Sequence, residues 1–338
     1  MSVPDSRLAD NNFDLLRLLL ALTVCLVHAQ ELSGEPALAW IGSLLSSLLA
    51  VKAFFVISGF LILMSYERSR SLASYAGKRL RRIYPAYLLM IVASAVLLAA
   101  FSARPLAAYF NVDWLRYLAA NLLFLNFLQS TLPGVFEHNP LRAVNGALWT
   151  LKIEVMFYLS VPVLVGLFRR YGQLRVMLLA YLGALAYQAG CAWLGAQGSS
   201  LPHAELARQL PGQLGYFIVG ALCYYQLDFF ARHRYPIFVL AVLILLLNAH
   251  WPLDALEPLA LGGVVLFLAL FTPPLRIGKY GDFSYGVYIL HFPLIQCFIA
   301  KGWFAGQPLL FLLAVLCATL GGAVLMWHGV ENRFLRRA

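Results

Sequence analysis

The chain has 338 residues, of which 62% are hydrophobic and only 12% are charged, and its 25 basic and 15 acidic side chains give a net charge of +10. A soluble domain has about half its residues apolar and about a quarter charged, so this composition excludes both a soluble enzyme and a disordered scaffold. Because each transmembrane helix uses about 20 mostly apolar residues, the chain can supply about ten, and we predict an all-α polytopic membrane protein.

The spans predicted from hydropathy and charge follow one another along a single membrane-embedded domain, residues 1–338. They lie at about 13–30, 38–65, 83–102, 147–168, 176–195, 210–227, 236–250, 258–272, 281–300 and 307–327. A further apolar segment, 117–128, is too short to span comfortably, and counting it as a crossing would place Arg169 and Arg170 outside. We therefore interpret it as a re-entrant or interfacial segment.

Basic residues are concentrated at every second loop between these spans, as the positive-inside rule requires of cytoplasmic loops. The clusters lie at residues 68–82, 169–175, 232–234, 276–279 and 333–337, and Arg7 precedes the first span. The net positive charge therefore indicates topology, with both termini cytoplasmic, and it does not favour a nucleic-acid partner.

The first predicted span contains the ionisable side chains Asp14, Arg17 and His28 in the stretch FDLLRLLLALTVCLVHA. At about 100° and about 1.5 Å per residue, Arg17 and His28 differ by about 20° around the helix and about 16 Å along it. They share one stripe, and ionisable groups inside a membrane usually face the bundle interior and mark function. The stripe could line a channel open to the cytoplasm; alternatively, Arg17 reaches the interface and His28 caps the outer end of the helix.

The second span contains FFVISGFLI, in which Ser58 and Gly59 carry little side-chain bulk. Small residues allow helix backbones to approach closely in a membrane. We interpret this stretch as a packing contact between helices.

The loop before the third span reads KRLRRIYPAY and places Arg79 and Arg82 three residues apart, on one face of any helix formed there. Paired guanidinium groups at the mouth of a membrane protein suit phosphate, because each guanidinium can donate to two oxygens. The alternative is a topology anchor that binds lipid head groups.

Two later spans also contain polar groups. The fourth opens with NGALWTLKIEVMFYL, which places Glu154 about 10 Å below the external end marked by Asn145. A lone carboxylate at that depth requires a partner, so a functional role is favoured over a structural one. In the ninth span, Ser284, Tyr288 and His291 share one helical face, either as a site or as a hydrogen-bonded structural stripe.

Other kinds of chemistry have no support in the sequence. The five cysteines lie in or beside apolar runs without a C-x-x-C pair, which is typical of reduced, packed thiols. The sequence contains no H-E-x-x-H, Walker or dinucleotide motif, and the other histidines lack metal-ligand spacing. Neither a metal nor a nucleotide triphosphate is therefore predicted.

Taken together, these segments resemble membrane acyltransferase family 3, the integral-membrane O-acyltransferases of bacterial surface glycans. The matching motifs are Arg17 and His28 separated by ten residues, SGFLI at 58–62, Arg79-x-x-Arg82 followed by Ile83 and Pro85, and the block from Trp149 to Tyr158 that contains Glu154. Weaker matches are the stretch from Ser284 to His291 and Glu331, so that the resemblance covers about residues 10–335.

The resemblance implies transfer of an acyl group, usually acetyl, from cytoplasmic acyl-CoA to a sugar hydroxyl of a surface polysaccharide, at the bacterial inner membrane. Arg79 and Arg82 would bind the CoA phosphates at the cytoplasmic mouth, and Arg17 would line the same entrance as a further CoA-binding residue. His28 would act as general base or as covalent acyl carrier, and Glu154 would orient the acceptor hydroxyl or the imidazole. The candidates for substrate contacts or for stabilising the oxyanion are Ser284, Tyr288, His291, Asn145 and Trp149.

The main competing hypothesis is a secondary transporter or flippase for a glycan-lipid or a small anion, which would also need ionisable groups inside the membrane. The sequence lacks the paired Gly/Pro-broken helices that transporters with inverted repeats often contain, so acyl transfer is favoured. The expected partners are membrane lipid and a glycan or lipid-linked sugar. The sequence leaves the acceptor and the oligomeric state open.

Overall fold

The computed structural model describes Leu8 and residues 10–335. The predicted basic residues Arg7, Arg336 and Arg337, and with them the predicted cytoplasmic ends, lie outside the described residues. Throughout the described part the regular structure is helical, without a β-strand. The prediction of an all-α fold is confirmed for this part of the chain.

The described residues form eleven helices of ten or more residues, joined by turns and shorter helical segments. In chain order they are α1 (Phe13–Ser33), α2 (Ser47–Glu67), α3 (Leu72–Leu97), α4 (Val112–Leu122), α5 (Trp149–Tyr171), α6 (Gln173–Ala196), α7 (Leu210–Tyr225), α8 (Arg234–Asn248), α9 (Glu257–Leu270), α10 (Ser284–Ala300) and α11 (Pro308–Met326).

Six helical stretches within the described residues are long and apolar enough to cross a membrane. They are Phe13–Ser33, Pro36–Glu67, Leu72–Phe101, Gly146–Tyr171, Gln173–Ala196 and Pro308–Leu335. Helices α8, α9 and α10 are apolar but shorter. The protein is therefore a polytopic membrane protein, and the number of about ten spans stays a prediction.

The helix boundaries differ from the predicted spans where charged residues continue a helix. Helix α3 begins at Leu72, so the basic loop predicted at 66–82 is only a short turn after Glu67, and Arg79 and Arg82 lie inside the helix. Lysine and arginine are good helix formers, whereas hydropathy ends a span where charge begins. The prediction of a long basic loop was wrong for this reason.

The segment predicted at 117–128 is helical only as far as Leu122, at the end of α4. The chain leaves the helix there, and Phe124 adopts a positive φ of 60°. Helix α4 has 11 residues and rises about 16 Å, about half the thickness of the hydrocarbon core. It is too short to span a membrane by itself.

The chain divides into two compact units, which are described separately. Unit 1 comprises Met1–Leu16, Val51–Ala76 and Ile153–Ile277. Unit 2 comprises Arg17–Ala50, Gly77–Lys152 and Gly278–Ala338.

In unit 1, helices α2 and α7 are in close contact at two glycines. A Cβ atom added to Gly59 would lie 2.0 Å from the carbonyl oxygen of Phe217, and one added to Gly220 would lie 2.0 Å from that of Val56. The two helix backbones therefore touch directly, and the predicted packing role of the small residues in α2 is confirmed at Gly59.

In unit 2, α10 is the central helix, since twelve of its seventeen residues are buried. Pro293 has no N–H, so the carbonyl of Ile289 lacks its usual helical donor. The Nδ2 of Asn145 donates to this carbonyl oxygen at 2.9 Å. The Oδ1 of Asn145 also accepts from the backbone N–H of Ala147 at 3.1 Å and caps the turn that leads into α5. One buried amide thus joins the start of α5 to the middle of α10.

Candidate functional site

Two histidines of unit 2 are in direct contact. The Nδ1 of His28, on α1, lies 2.9 Å from the Nε2 of His291, on α10. The ring planes are within 18° of each other and the ring centroids are 5.2 Å apart, so the rings meet at their nitrogen-bearing edges. The ring of Phe292 packs edge-on against His28 at 5.5 Å. The imidazole that the sequence predicted as catalytic therefore has a second imidazole as its hydrogen-bonding partner.

The two rings differ in exposure. His291 is fully buried, and its Nδ1 lies 3.2 Å from the carbonyl oxygen of Val287, one turn earlier on the same helix. His28 is only partly buried, and no described residue makes a hydrogen bond to its Nε2. Both ring nitrogens of His291 are thus within hydrogen-bonding distance of another group, while the Nε2 of His28 is available to react.

A second cluster of unit 2 is built around the carboxylate of Asp282, just before α10. Its Oδ2 accepts from the guanidinium of Arg17 at 2.5 Å and from that of Arg82. Its Oδ1 accepts from the hydroxyl of Ser284 at 2.5 Å and from the Ser284 N–H at 3.2 Å. The buried carboxylate of Glu331 lies 3.7 Å from Arg82. Two of the arginines predicted to bind CoA therefore contact the same carboxylate oxygen.

The charges of this cluster stabilise the ionised carboxylate. Burial alone raises the pKa of Asp282, but the adjacent guanidinium groups of Arg17 and Arg82 and the hydrogen bonds from Ser284 hold that pKa well below its usual range. Asp282 therefore stays negatively charged at neutral pH.

Helix α1 contributes one residue to the arginine cluster and one to the histidine pair. Arg17 and His28 both come from α1, about 16 Å apart along its axis, and both contact residues of α10 or of the turn before it. The predicted shared stripe on α1 is confirmed by these contacts. At one end of the stripe, Arg17 shares the carboxylate of Asp282 with Arg82. At the other end, His28 contacts His291.

The other predicted substrate contacts of unit 2 already have partners in the structure. The hydroxyl of Tyr288 lies 2.7 Å from that of Thr150. The hydroxyl of Ser284 donates to Asp282, and the amide of Asn145 is used between α5 and α10. Trp149 is the first residue of α5 and is partly exposed. Ser284 and Asn145 thus have structural contacts, as the structural alternative for the stripe of α10 expects of Ser284.

Two further predicted residues lie on the flanking helices. Glu154 of α5 belongs to unit 1, and its Oε1 accepts from the hydroxyl of Tyr158 at 2.6 Å. The partner that this carboxylate was predicted to require is therefore supplied one turn further along its own helix. Arg79 lies on α3 one turn before Arg82 and is partly buried.

Sequence reasoning missed three charged residues that the structure pairs. Asp282 lies two residues before Ser284, where the polar stripe of α10 begins, and this position is the one feature of the sequence that could have indicated a role for it. In unit 1, Lys52 of α2 donates to the Oε1 of Glu257 at 2.7 Å. Glu257 also accepts from Tyr216 and Asn248, at 3.0 and 3.1 Å. Among the described residues, no group of three or more His, Cys, Asp or Glu side chains could hold a metal ion.

Comparison with known proteins gives one family and two relatives of full length. The family model described as "Acyltransferase domain" matches residues 10–328. The chain is similar to Nodulation protein 10 of Rhizobium leguminosarum bv. viciae, with 30% identity over 350 positions that cover 95% of this chain and 92% of that protein. It is also similar to an O-acetyl transferase of Shigella phage Sf6, with 29% identity over 339 positions that cover 97% of each. No solved structure matches the chain.

Proposed function

Because this chain belongs to the acyltransferase family whose model covers residues 10–328, we propose that it is a membrane O-acyltransferase acting on polysaccharide. It would move an acyl group, acetyl in the first instance, from cytoplasmic acyl-CoA to a hydroxyl of a cell-surface or exported glycan. Its single domain, residues 1–338, would act in the bacterial inner membrane. The relative from phage Sf6, described as an O-acetyl transferase, supports the acetyl donor.

The observation that carries this proposal is the placement of His28 and Arg17 on one face of α1. A transferase that uses acyl-CoA must hold an anionic nucleotide at one end and a reactive thioester at the other. Arg17 and Arg82 form a basic group at one end of this face, and the partly exposed imidazole of His28 lies about 16 Å further along the helix. The pantetheine arm would extend between these two points.

The arginine cluster supports binding of the CoA phosphates. Arg17 and Arg82 already bind one oxyanion, the carboxylate of Asp282. A guanidinium has five N–H donors in a rigid fork, so the same groups can donate to a phosphate as well as to Asp282. Arg79, one turn earlier on α3, would add a further positive charge.

His28 would perform the transfer through its Nε2. As general base, Nε2 takes the proton from the acceptor hydroxyl while the hydroxyl oxygen forms a bond to the thioester carbon. The carbon–sulfur bond breaks, and the CoA sulfur leaves with the proton that His28 returns. As acyl carrier, Nε2 would instead bond to the carbonyl carbon and release the CoA thiolate. In a second step the acceptor hydroxyl oxygen would bond to that carbon, the bond to Nε2 would break, and the hydroxyl proton would pass to the thiolate.

The acceptor side of the proposal rests on the resemblance described above. Glu154 is proposed to orient the acceptor hydroxyl, with its own orientation set by Tyr158. Trp149 is proposed as an aromatic surface for a sugar ring, and Tyr288 as a donor to the thioester oxyanion. Asn145 is proposed to support this region through its contact with α10.

The proposed function predicts that His28→Gln abolishes O-acylation, because the base or acyl carrier is lost. Loss of a positioned base typically costs about 10²- to 10⁴-fold in rate. The measurement is NMR of extracted surface polysaccharide from cells that express each variant, together with hydrolysis of labelled acetyl-CoA by purified protein. His233→Gln is the matched control, because His233 contacts a backbone carbonyl one turn earlier and has no proposed role.

Two results would count against the proposal. Wild-type O-acylation by the His28→Gln protein would show that another group performs the chemistry. A wild-type protein that neither binds nor hydrolyses labelled acetyl-CoA, but alters the amount of glycan exported, would favour the flippase hypothesis.

A further inference from the structure

The contact between His28 and His291 determines which nitrogen of each ring carries a proton. A neutral imidazole has one N–H donor and one acceptor nitrogen. The Nδ1 of His291 faces the carbonyl oxygen of Val287 at 3.2 Å, and a carbonyl can only accept. The proton of His291 is therefore on Nδ1, and the lone pair of its Nε2 points at His28.

The same reasoning then applies to His28. Its Nδ1 lies 2.9 Å from the Nε2 of His291, and since that nitrogen is an acceptor, the Nδ1 of His28 must be the donor. The near-coplanar rings place this N–H in the direction of the lone pair. In the neutral ring, the lone pair of His28 is thus on Nε2.

We infer that His291 is a positioning residue that holds His28 in its Nδ1–H tautomer and so makes Nε2 the reacting atom. The inference deepens the proposed function and rests on it for the catalytic role of His28. The geometry of the two rings supports the tautomer independently of that role.

The opposite arrangement, in which His291 donates from Nε2 to His28, is unfavourable for either charge state of His291. A neutral His291 would then direct a lone pair from Nδ1 at the carbonyl oxygen of Val287, which leaves two buried acceptors facing each other. A doubly protonated His291 would place a positive charge on a fully buried ring, which is costly without an anionic partner.

The assigned tautomer also limits where the transferred proton can go. When Nε2 of His28 takes a proton from the hydroxyl, its Nδ1–H still donates to His291, so this contact does not change during the step. His291 cannot pass a proton onward, because its Nδ1–H faces a carbonyl. His28 must therefore return the proton to the leaving sulfur, as the balanced transfer requires.

Nitrogen NMR tests the tautomer without reference to activity. The chain has seven histidines, so ¹⁵N-histidine labelling of the reconstituted protein gives a small set of ring signals, and the His28→Gln spectrum identifies those of His28. We expect a protonated Nδ1 and an unprotonated Nε2 in the wild type. In His291→Phe, which keeps a planar ring but has no acceptor, this preference should disappear.

Steady-state kinetics test the catalytic consequence. His291→Phe should lower kcat by roughly 10²-fold, within the range for a misplaced general base, with little change in the KM for acetyl-CoA. His291→Gln should recover part of kcat, because its amide oxygen can accept from the Nδ1 of His28. His233→Phe, at a histidine that also contacts a carbonyl one turn earlier, should leave both constants unchanged.

The outcomes separate this inference from the proposed function. A protonated Nε2 on wild-type His28, or an unchanged tautomer in His291→Phe, overturns the inference alone. Equal losses of kcat in His291→Phe and His291→Gln also overturn it, since the acceptor would then have no part. Full activity of His28→Gln overturns the proposed function, whatever the tautomer.

Discussion

Asp282 links three elements of unit 2 through one side chain. Its carboxylate accepts from Arg17 of α1, from Arg82 of α3 and from Ser284 at the start of α10. Removing one partner of a buried ion pair destabilises the folded protein, because the remaining charge is left uncompensated. The position of His28 opposite His291 depends on how α1 lies along α10, and the Arg17–Asp282 contact holds one end of α1 in place.

We predict that Asp282→Asn destabilises the protein by about 2 kcal/mol, because two partly buried guanidinium groups lose their charged acceptor. The measurement is the midpoint of thermal unfolding in detergent at neutral pH. Asp10→Asn is the control: Asp10 pairs with Arg276 at 2.8 Å on the surface, where an ion pair contributes about 0–1 kcal/mol.

The pH dependence of this difference follows from the lowered pKa of Asp282. A carboxyl with a lower pKa in the folded than in the unfolded state stabilises the fold fully above its unfolded value of about 3.9, and less as the pH falls towards the folded value. The gap in stability between wild type and Asp282→Asn should therefore be constant from about pH 8 to pH 5 and narrow only below about pH 4. If the difference in stability between wild type and Asp282→Asn instead narrowed near neutral pH, Asp282 would not be the ionised carboxylate described above.

At the scale of helices, two kinds of contact join the elements within each unit. Helix backbones approach closely at glycines, and side chains donate to backbone carbonyls that lack a donor within their own helix. Within unit 1, Pro162 of α5 leaves the carbonyl of Tyr158 without its helical donor, and the hydroxyl of Tyr75 donates to it at 3.0 Å. The Asn145 contact with α10 solves the same problem in unit 2. Pro162 in α5 and Pro293 in α10 thus each leave one backbone carbonyl without its helical donor, and a side chain from a neighbouring element donates to that carbonyl.

The glycine contact between α2 and α7 gives a direct test of helix packing. We predict that Gly59→Ala destabilises unit 1 by about 1–3 kcal/mol or more, because a Cβ there would lie 2.0 Å from a carbonyl oxygen of the facing backbone. Gly220→Ala should have a similar effect, since it makes the reciprocal contact. Both are measured as the unfolding midpoint in detergent.

The matched control is Gly183→Ala on α6, where no atom lies within 4 Å of an added Cβ. Alanine has the higher helix propensity, so this change should be neutral or slightly stabilising. Equal effects of Gly59→Ala and Gly183→Ala would show that the contact between α2 and α7 is looser than the structure indicates.

At the scale of the whole molecule, the distribution of charge predicts the orientation in the membrane. The described basic clusters fall at the turn after α2 and the first turns of α3, at the end of α5, before α8 and before α10. The segment between α3 and α5, by contrast, contains few basic residues. The positive-inside rule therefore predicts that these four regions face the cytoplasm and that the segment before α5 faces outward.

Single cysteines test this topology. In a variant without the five natural cysteines, Glu137→Cys should react with a membrane-impermeant maleimide in intact cells, because Glu137 is exposed in the segment before α5. Ser71→Cys and Arg170→Cys, also at exposed positions, should react only after the cells are opened. Labelling of Arg170→Cys from outside would instead show that the region of α4 crosses the membrane.

Membrane character, helix content and most of the polar residues that cluster in unit 2 could be predicted from the sequence. Hydropathy and charge are properties of neighbouring residues, and helical periodicity places Arg17 and His28 on one face before any packing is known. Motif spacing also singled out Arg82, Ser284 and His291 before their contacts were known. Helix ends were less well predicted, because α3 continues through charged residues that hydropathy assigns to a loop.

Which of these residues pair with one another depends on the packing of the helices. His28 and His291 are 263 positions apart, Arg17 and Asp282 are 265 apart, and Lys52 and Glu257 are 205 apart. Local sequence patterns carry no information about contacts at such separations, because these depend on how helices pack side by side. Sequence patterns are sufficient to predict a membrane helix with an arginine and a histidine on one face. That the histidine contacts a second imidazole and the arginine a carboxylate depends on how α1 packs against α10 and the turn before it.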